Sequence, residues 1–479
     1  MSKREKIIIP ADEINKQKEI INRIKQRNDF DIQRSGRNKL AMIVTYGCQQ
    51  NENDSERLRG MLRDMGYHFT EDKEEADLIL YNTCCVRENA ELKVFGNIGA
   101  LKHLKTRKPH LLIGICGCMM QQEHIVKQIK KKYKHVDMVF GTHTLYRFPE
   151  VLEKAMNETY TVIDILNTDG YIVEDIPIHR EGSVKAWVSI MYGCNNFCSY
   201  CIVPYVRGRE RSRNPKDIID EITQLVSEGY KEITLLGQNV NSYGKDLNEE
   251  IDFADLLKMV NDVSGIKRIR FMTSHPKDIS DKLIKAMSEC ENVCEQLHLP
   301  FQAGSNKVLD MMNRKYTKEK YLEIISKVKA AIPGVALTSD VIVGFPGETN
   351  EDFEETLDVI RQVEFDSLFT FIYSPRKGTP AEKMEDVLSK EEKQANFQKL
   401  LDIQNEISLK KNQQYMGRIV EVLVEGYSKN NPEVLTGRTR TGKIVNFVGN
   451  EKMIGTLINV RINEVQTWSL AGQVVEEDL

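Results

Sequence analysis

Three cysteines lie within eight residues of one another in the stretch "GCNNFCSYC", at Cys194, Cys198 and Cys201. The same stretch holds no fourth cysteine or histidine, so a tetrahedral zinc site would lack a ligand there. Three thiolates on one compact loop suit a [4Fe–4S] cluster whose fourth iron stays open for a substrate or a cofactor. The spacing therefore predicts an iron–sulfur site on this loop.

Three further cysteines each follow a segment that reads as a buried strand. Cys48 follows "KLAMIVTY", Cys84 follows "ADLILYNT" and Cys118 follows "HLLIGIC". Parallel strands end at one edge of a sheet, so these thiols are predicted to meet there and to hold a second cluster. Each could instead be a small buried residue. Spacing alone also leaves open an exchange of ligands with the neighbouring Cys85 or Cys116.

The elements that position these cysteines alternate between strands and helices, which predicts an α/β fold. Residues 38–156 are expected to form a doubly wound parallel-sheet domain. Residues 180–411 contain six strand-and-helix units, typical of a partial (β/α) barrel with its chemistry on the loops after the strands. Short strands separated by Gly, Asn and Pro over residues 412–475 predict a small β-barrel.

Composition narrows the class of protein. The chain has 479 residues, a net charge of −4 and ten cysteines. The N-terminal sequence has no signal-peptide pattern, and no apolar stretch is long enough for a bilayer, so we expect a cytoplasmic protein without membrane contact. In a reducing compartment, ten cysteines indicate metal or catalysis before disulfides. Residues 1–37 are charged and weakly patterned, which favours a solvated, partly disordered arm, or else a basic arm that touches RNA.

The motifs together resemble the radical S-adenosylmethionine (SAM) methylthiotransferases over about residues 39–475. The segments that carry the resemblance include "YGCQQNENDSE", "NTCCVRENA", "GCMMQ", "GCNNFCSYC", "LHLPFQAGSNKVLDMMNRKYT" and "SDVIVGFPGET". The resemblance implies an N-terminal domain with an auxiliary [4Fe–4S] cluster, a radical SAM barrel with its own [4Fe–4S] cluster, and a C-terminal TRAM domain. Matching the motifs residue by residue assigns Cys48, Cys84 and Cys118 to the auxiliary cluster and Cys194, Cys198 and Cys201 to the radical SAM cluster, and leaves Cys85 and Cys116 as bystanders.

The resemblance also implies where SAM is bound. Its methionine part would lie near the loop after the second barrel strand, and its adenine part near the loop after a later strand, where small residues permit close backbone approach. The first loop could equally be a plain glycine-led turn. The residues concerned are Gly237, Gln238 and Asn239 on the first loop, and Gly344, Gly347 and Glu348 on the second.

Basic residues supply candidate RNA contacts. Arg438, Arg440 and Lys443 lie on one predicted hairpin of the C-terminal barrel with Phe447 nearby, a combination that suits RNA backbone and base contact. The alternative is a solvated hairpin. A second run of arginines, from Arg207 to Arg213, follows the cysteine loop and could serve either phosphates or internal carboxylates.

The implied reaction replaces the hydrogen on carbon 2 of N(6)-isopentenyladenosine, next to the anticodon of tRNA, with a methylthio group. The implied partners are the tRNA anticodon stem-loop, SAM, an electron donor and a sulfur source. One SAM would methylate a sulfur at the auxiliary cluster, and a second would yield the radical that activates the adenine. We assign no side chain as a general base. The alternatives are a methylthiotransferase acting on threonylcarbamoyladenosine in tRNA or on a ribosomal-protein aspartate, and a non-catalytic iron–sulfur scaffold that binds RNA.

Overall fold

The structure is a computed structural model that describes residues 9–85, 88–168, 170–174, 176–180, 182, 184–429 and 431–475. The helices are α1 Ala11–Ser35, α2 Gln49–Asp64, α3 Glu88–Arg107, α4 Glu123–Lys132, α5 Phe148–Asn157, α6 Val203–Arg207, α7 Pro215–Ser227, α8 Phe253–Asn261, α9 Asp281–Glu289, α10 Asn306–Met311, α11 Lys318–Ala331, α12 Asn350–Val363 and α13 Lys390–Gln413. The strands are β1 Lys39–Tyr46, β2 Tyr67–Phe69, β3 Leu78–Thr83, β4 Leu112–Gly117, β5 Met138–Phe140, β6 Val162–Asp164, β7 Lys185–Ser189, β8 Met191–Tyr192, β9 Arg211–Ser212, β10 Glu232–Leu236, β11 Arg268–Phe271, β12 Gln296–His298, β13 Ala336–Val343, β14 Ser367–Ile372, β15 Ile419–Ser428, β16 Asn431–Thr439, β17 Ile444–Phe447, β18 Leu457–Val465 and β19 Leu470–Val474.

The chain divides into two compact units. Unit 1 comprises Met1–Glu181, Met191–Asn195 and Cys201–Arg213. Unit 2 comprises Gly182–Ile190, Asn196–Tyr200 and Asn214–Leu479. The domain limits given in the sequence analysis stay predictions.

Unit 1 is built on a parallel sheet of six strands in the order β2-β1-β3-β4-β5-β6. Helices α3 and α4 pack on one face of this sheet, and α1, α2 and α5 pack on the other. The predicted doubly wound sheet is therefore confirmed. The strand order reverses between β1 and β3, and open sheets of this kind bind ligands beside such a reversal, at the carboxyl ends of the strands.

Helix α1 corrects the prediction for the N-terminal arm. The expectation of a solvated arm over residues 1–37 is wrong for Ala11–Ser35, because Ile20, Ile21 and Ile24 are buried in the core of unit 1. Residues 1–8 lie outside the described part of the chain. The many charged residues of this segment lie mostly on the exposed side of the helix, so its composition resembles that of a disordered segment.

Unit 2 contains six parallel strands in two groups of three. One group has the order β11-β10-β7 and the other the order β12-β13-β14. A parallel bridge between Ile269 of β11 and Val293 joins this strand to the segment before β12. Helices follow these strands, so the predicted partial (β/α) barrel is confirmed.

The C-terminal part of unit 2 is a closed barrel of five strands in the order β15-β16-β17-β19-β18. Its core is apolar and includes Val422, Val424, Val445, Phe447 and Leu470. The predicted small β-barrel is therefore confirmed. Among the residues that the structure describes, no helix is both long and apolar enough to cross a bilayer.

Candidate functional site

The first set of predicted ligands, which we name the auxiliary triplet (Cys48, Cys84 and Cys118), lies at one edge of the unit 1 sheet. In the sheet register, Tyr46 pairs with Thr83 and Thr83 pairs with Gly117. The thiols therefore follow three strand ends that lie at the same level, and β1 and β3 flank the reversal of strand order. Tertiary structure brings these three positions to one edge although 36 and 34 residues separate them. Their role as ligands stays a prediction.

The thiol of Cys118 has a lowered pKa and accepts a hydrogen bond from an arginine. Its pKa is lowered to about 6, first by a hydrogen bond from Cys85 and also by the nearby positive charge of Arg207. The Arg207 guanidinium donates a hydrogen bond from Nε to the Cys118 sulfur over 3.2 Å. A thiolate is the form of cysteine that binds metal, so Cys118 is well suited to act as a ligand.

Cys85 and Cys116 differ from Cys118 in this respect. Both are buried, and the pKa of each thiol is well above its usual value. The hydrogen bond to Cys118 is the first cause for Cys85, and burial is the first cause for Cys116. Burial also raises the pKa of Cys48, so the division of these cysteines into ligands and bystanders stays a prediction.

Within the described residues, no group of three or more His, Cys, Asp or Glu side chains converges closely enough to hold a single metal ion. A four-iron cluster does not require such convergence, because each thiolate binds a different iron.

The second set of predicted ligands, which we name the barrel triplet (Cys194, Cys198 and Cys201), follows β7 and β8 in the chain. At the start of this loop, Gly193 has a φ of 78°, and a Cβ there would lie 2.0 Å from the Arg209 carbonyl oxygen. Only glycine fits this turn. The next backbone amide, that of Cys194, donates to the Gly208 carbonyl over 3.1 Å, which fixes the start of the loop.

The middle of the loop is held by the segment before α11. Phe197 has a φ of 47°, which is unusual for a residue with a side chain, and its carbonyl accepts a hydrogen bond from Asn313 over 2.9 Å. The Ser199 amide donates to the Met312 carbonyl over 3.0 Å. Arg314 donates from Nη1 to the Cys198 sulfur over 3.4 Å. The segment "MMNRKY" thus positions the centre of the loop, a role that its sequence alone did not indicate.

The predicted SAM loops lie at the carboxyl ends of β10 and β13. Gly237, Gln238 and Asn239 directly follow β10, and Asn239 donates from its amide to Asp278 over 2.8 Å. The Gly237 carbonyl accepts a hydrogen bond from the Thr273 hydroxyl. These contacts give the loop a defined shape, and its contact with SAM stays a prediction.

The loop after β13 is a glycine turn closed by a buried carboxylate. Gly344 and Gly347 have φ values of 70° and 84°, in the region that glycine adopts without strain. The Gly344 amide donates to the Glu348 carboxylate. Burial raises the pKa of Glu348 to about 7. A Cβ at Gly344 would collide with the Lys393 side chain. This contact and the left-handed backbone of the turn explain why glycine stands at this position.

Buried polar atoms without a hydrogen-bond partner in the described part of the chain cluster at this edge of the barrel. His275 is one of them: its Nδ1 accepts from the Lys277 amide, so the neutral ring carries its proton on Nε2. Burial, with nearby positive charges, lowers the pKa of His275 to about 2 and so keeps the ring neutral. The unpaired atoms at the ends of β10, β11, β13 and β14 are Asn239 Oδ1, Asn241 Oδ1, Ser274 Oγ, His275 Nε2, Glu348 Oε1 and the Tyr373 hydroxyl oxygen.

Buried polar groups are normally paired, so this cluster fits a bound polar ligand. Both donors and acceptors are present, as a ligand with amino, carboxylate and adenine groups would need. Sequence reasoning missed Asn241, Ser274 and Tyr373. Their position directly after barrel strands was the available signal.

Two of the residues predicted to contact RNA are engaged by the protein itself, and for Phe447 this corrects the prediction. Phe447 is only 2% exposed and belongs to the core of the C-terminal barrel. Lys443 forms an ion pair with Asp366 over 2.8 Å, with little of either side chain exposed, and burial lowers the pKa of Lys443. Phe447 therefore presents almost no surface to RNA, and the charge of Lys443 is already paired with Asp366.

The two arginines of the same hairpin also have protein partners. Arg440 binds the Glu295 carboxylate at 2.7 Å and donates to the Val293 carbonyl. Arg438 lies 3.2 Å from Glu425 and keeps 39% of its side chain exposed. Because Glu295 and Val293 lie beside β12, Arg440 attaches the C-terminal barrel to the partial barrel. Of the four predicted hairpin residues, Arg438 keeps the largest exposed fraction of its side chain.

The arginines after the cysteine loop also find internal carboxylates. Arg207 binds Asp54 over 2.7 Å, and Arg213 binds Glu174 over 2.6 Å. The sequence left two kinds of partner open for these arginines, phosphates or internal carboxylates. Arg207 and Arg213 pair with internal carboxylates. Both side chains are buried, which removes them from any RNA surface.

Comparisons with known proteins agree with this architecture. Residues 188–360 match the Radical SAM superfamily, residues 40–141 match Uncharacterized protein family UPF0004, and residues 413–475 match the TRAM domain. The tRNA-2-methylthio-N(6)-dimethylallyladenosine synthase of Alkaliphilus oremlandii is 58% identical over 477 residues, covering 100% of both chains. The enzyme of the same name from Acetivibrio thermocellus is 57% identical over 472 residues, or 98% of each chain.

This chain belongs to the tRNA-2-methylthio-N(6)-dimethylallyladenosine synthase family. As a member, it is a radical SAM methylthiotransferase, and its radical SAM domain implies one [4Fe–4S] cluster and SAM. Among solved structures, the radical SAM methyltransferase TsrM from Kitasatospora setae aligns with a TM-score of 0.52 at 12% identity, covering 72% of this chain and 74% of that one. That likeness concerns the fold alone.

Proposed function

We propose that this member of the synthase family adds a methylthio group to carbon 2 of N(6)-isopentenyladenosine beside the anticodon of tRNA. The names of its full-length relatives support this substrate. The observation that carries the two-cluster part of the proposal is the register of β1, β3 and β4, which aligns the strand ends before Cys48, Cys84 and Cys118.

The two triplets would hold separate [4Fe–4S] clusters. The barrel triplet would hold the cluster that supplies the electron for reductive SAM cleavage, and the auxiliary triplet would hold the cluster that carries sulfur. The surroundings of one donor support this assignment, because Arg207 donates a hydrogen bond to the sulfur of Cys118, whose pKa is lowered to about 6. An electron donor and a sulfur source are the further partners that such a reaction requires.

The chain's own residues would bind and orient SAM in the barrel. The unpaired acceptor on Asn239 suits an ammonium group, and the neutral His275 ring can donate from Nε2 to a carboxylate or an adenine nitrogen. On the β13 loop, Gly344 and Gly347 would shape the turn that places Glu348 beside the adenine part. Gly237 and Gln238 would lie beside the methionine part.

The TRAM domain supports RNA as the substrate class. Of the four hairpin residues, Arg438 is the one that we retain as an RNA contact, since its side chain is 39% exposed. A tRNA substrate and reduced thiolate ligands both favour the cytoplasm as the location.

The test is nucleoside analysis of tRNA. The anaerobically reconstituted enzyme is incubated with SAM, reductant, sulfide and tRNA that carries N(6)-isopentenyladenosine, and the digested nucleosides are measured by mass spectrometry. We expect a methylthio product and about eight irons per chain, four for each triplet. Matched tRNA that carries threonylcarbamoyladenosine serves as the control substrate.

Product on the threonylcarbamoyl tRNA alone would contradict the proposed substrate. Four irons per chain, unchanged when Cys48 is replaced by alanine, would contradict the second cluster. SAM cleavage without a product on any tRNA would favour the ribosomal-protein substrate instead.

A further inference from the structure

Two buried arginines each donate a hydrogen bond to one predicted cluster ligand. Arg207 is 6% exposed and donates from Nε to the Cys118 sulfur over 3.2 Å. Arg314 is 4% exposed and donates from Nη1 to the Cys198 sulfur over 3.4 Å. One arginine therefore contacts the auxiliary triplet and the other contacts the barrel triplet.

We propose that Arg207 and Arg314 are positioning residues, one for each cluster, and that each raises the reduction potential of the cluster whose ligand it contacts. The inference rests on the proposed two-cluster function. Hydrogen bonds to the ligating sulfurs and the charge around a cluster are among the factors that set its potential. A donor that withdraws charge from a thiolate favours the reduced cluster, which carries one more negative charge.

Each guanidinium is held in one orientation by other contacts. Arg207 is the last residue of α6, and its Nη2 binds Asp54 on α2 over 2.7 Å. Arg314 donates to the Pro300 carbonyl over 2.7 Å and to the Tyr316 hydroxyl over 3.2 Å. These contacts use the planar fork of arginine, which a lysine cannot reproduce.

The surroundings of the two arginines predict effects of different size. The Asp54 carboxylate offsets much of the positive charge of Arg207. The other contacts of Arg314 are with a carbonyl and two phenol groups, those of Tyr200 and Tyr316, so its charge acts on Cys198 with less compensation. Loss of Arg314 should therefore lower the potential of the barrel cluster more than loss of Arg207 lowers that of the auxiliary cluster.

The experiment separates the clusters by using two full-length backgrounds. In one, the barrel triplet is replaced by alanine, so only the auxiliary cluster remains; in the other, the auxiliary triplet is replaced. Arg207→Gln, Arg207→Lys and Arg314→Gln are introduced into each background. Iron content is measured, and the midpoint potential is determined by redox titration monitored by electron paramagnetic resonance.

We expect Arg207→Gln to lower the reduced-to-oxidised ratio of the auxiliary cluster about tenfold at a fixed solution potential, equal to about 59 mV for one electron. The midpoint potential of the barrel cluster should not change in Arg207→Gln. Arg314→Gln should show the reverse pattern, with a larger shift. The midpoint potential of the auxiliary cluster in Arg207→Lys should lie between those of the parent and of Arg207→Gln, because lysine keeps the positive charge and lacks the planar fork.

Unchanged potentials in both glutamine variants would overturn the inference, as would equal shifts of both clusters in either variant. If Arg207→Gln binds no iron, Arg207→Lys decides: four irons with a lowered potential support the role, and four irons with the parental potential refute it. A background with only the auxiliary triplet that binds no iron, even with Arg207 intact, would instead contradict the proposed two-cluster function.

Discussion

Replacing Arg440 by alanine should loosen the C-terminal barrel from the rest of unit 2, rather than remove a contact with RNA. Arg440 donates to both Glu295 carboxylate oxygens and to the carbonyls of Glu291 and Val293. The sequence had suggested a phosphate contact. All four of these hydrogen bonds of Arg440 are to groups of the protein itself, so losing them should lower the stability of the C-terminal barrel's attachment.

The magnitude follows from these contacts. Charge-assisted hydrogen bonds contribute about 1.5–3 kcal/mol each when buried. The Arg440 and Glu295 side chains are 28% and 35% exposed, so solvent weakens the pair. We therefore expect a total loss of about 2 kcal/mol in the free energy of local opening, or about 30-fold faster hydrogen exchange.

The assay is hydrogen exchange of the β16 and β17 amides, combined with tRNA affinity at several salt concentrations. Arg461→Ala, which removes an exposed arginine of the same barrel, is the control and should change stability by less than about 0.5 kcal/mol. A phosphate contact by Arg440 would reduce the slope of log affinity against log salt by about 0.7–0.9 upon its removal. Such a reduced slope with unchanged exchange would refute the reasoning.

Three further predictions concern the cysteines, the β13 loop and helix α1. Alanine in place of the auxiliary triplet should retain reductive SAM cleavage, measured as 5′-deoxyadenosine, and abolish methylthio product; product at the parental rate would contradict the assignment. Burial holds the folded pKa of Glu348 near 7, above its ordinary 4.5, so its contribution to stability is present below pH 4.5 and lost as pH rises through 7. Glu348→Gln should remove that part of the pH dependence of the free energy of unfolding, measured in urea. A pH profile identical to that of the parent would contradict this role of Glu348. Ile24→Ala should destabilise unit 1 by about 2–5 kcal/mol in the same assay, because Ile24 is 2% exposed, whereas a solvated arm would show no change.

The sequence by itself determined the layered α/β plan and both cysteine triplets. Strand and helix periodicity is a local property, and each cysteine lies directly beside the strand that delivers it. The parallel arrangement of neighbouring strands then implies a common edge for Cys48, Cys84 and Cys118.

Only the tertiary structure decided which partners the arginines have and which side chains are buried. Arg207 lies 89 residues from Cys118 in the chain, and Arg440 lies 145 residues from Glu295. Sequence shows that such a side chain carries charge, but its partner is set by segments that meet only in the folded protein. The same applies to Phe447 and to α1, whose burial depends on the surfaces packed against them. Spacing predicts ligands that local structure delivers, whereas long-range packing selects the partner of each arginine.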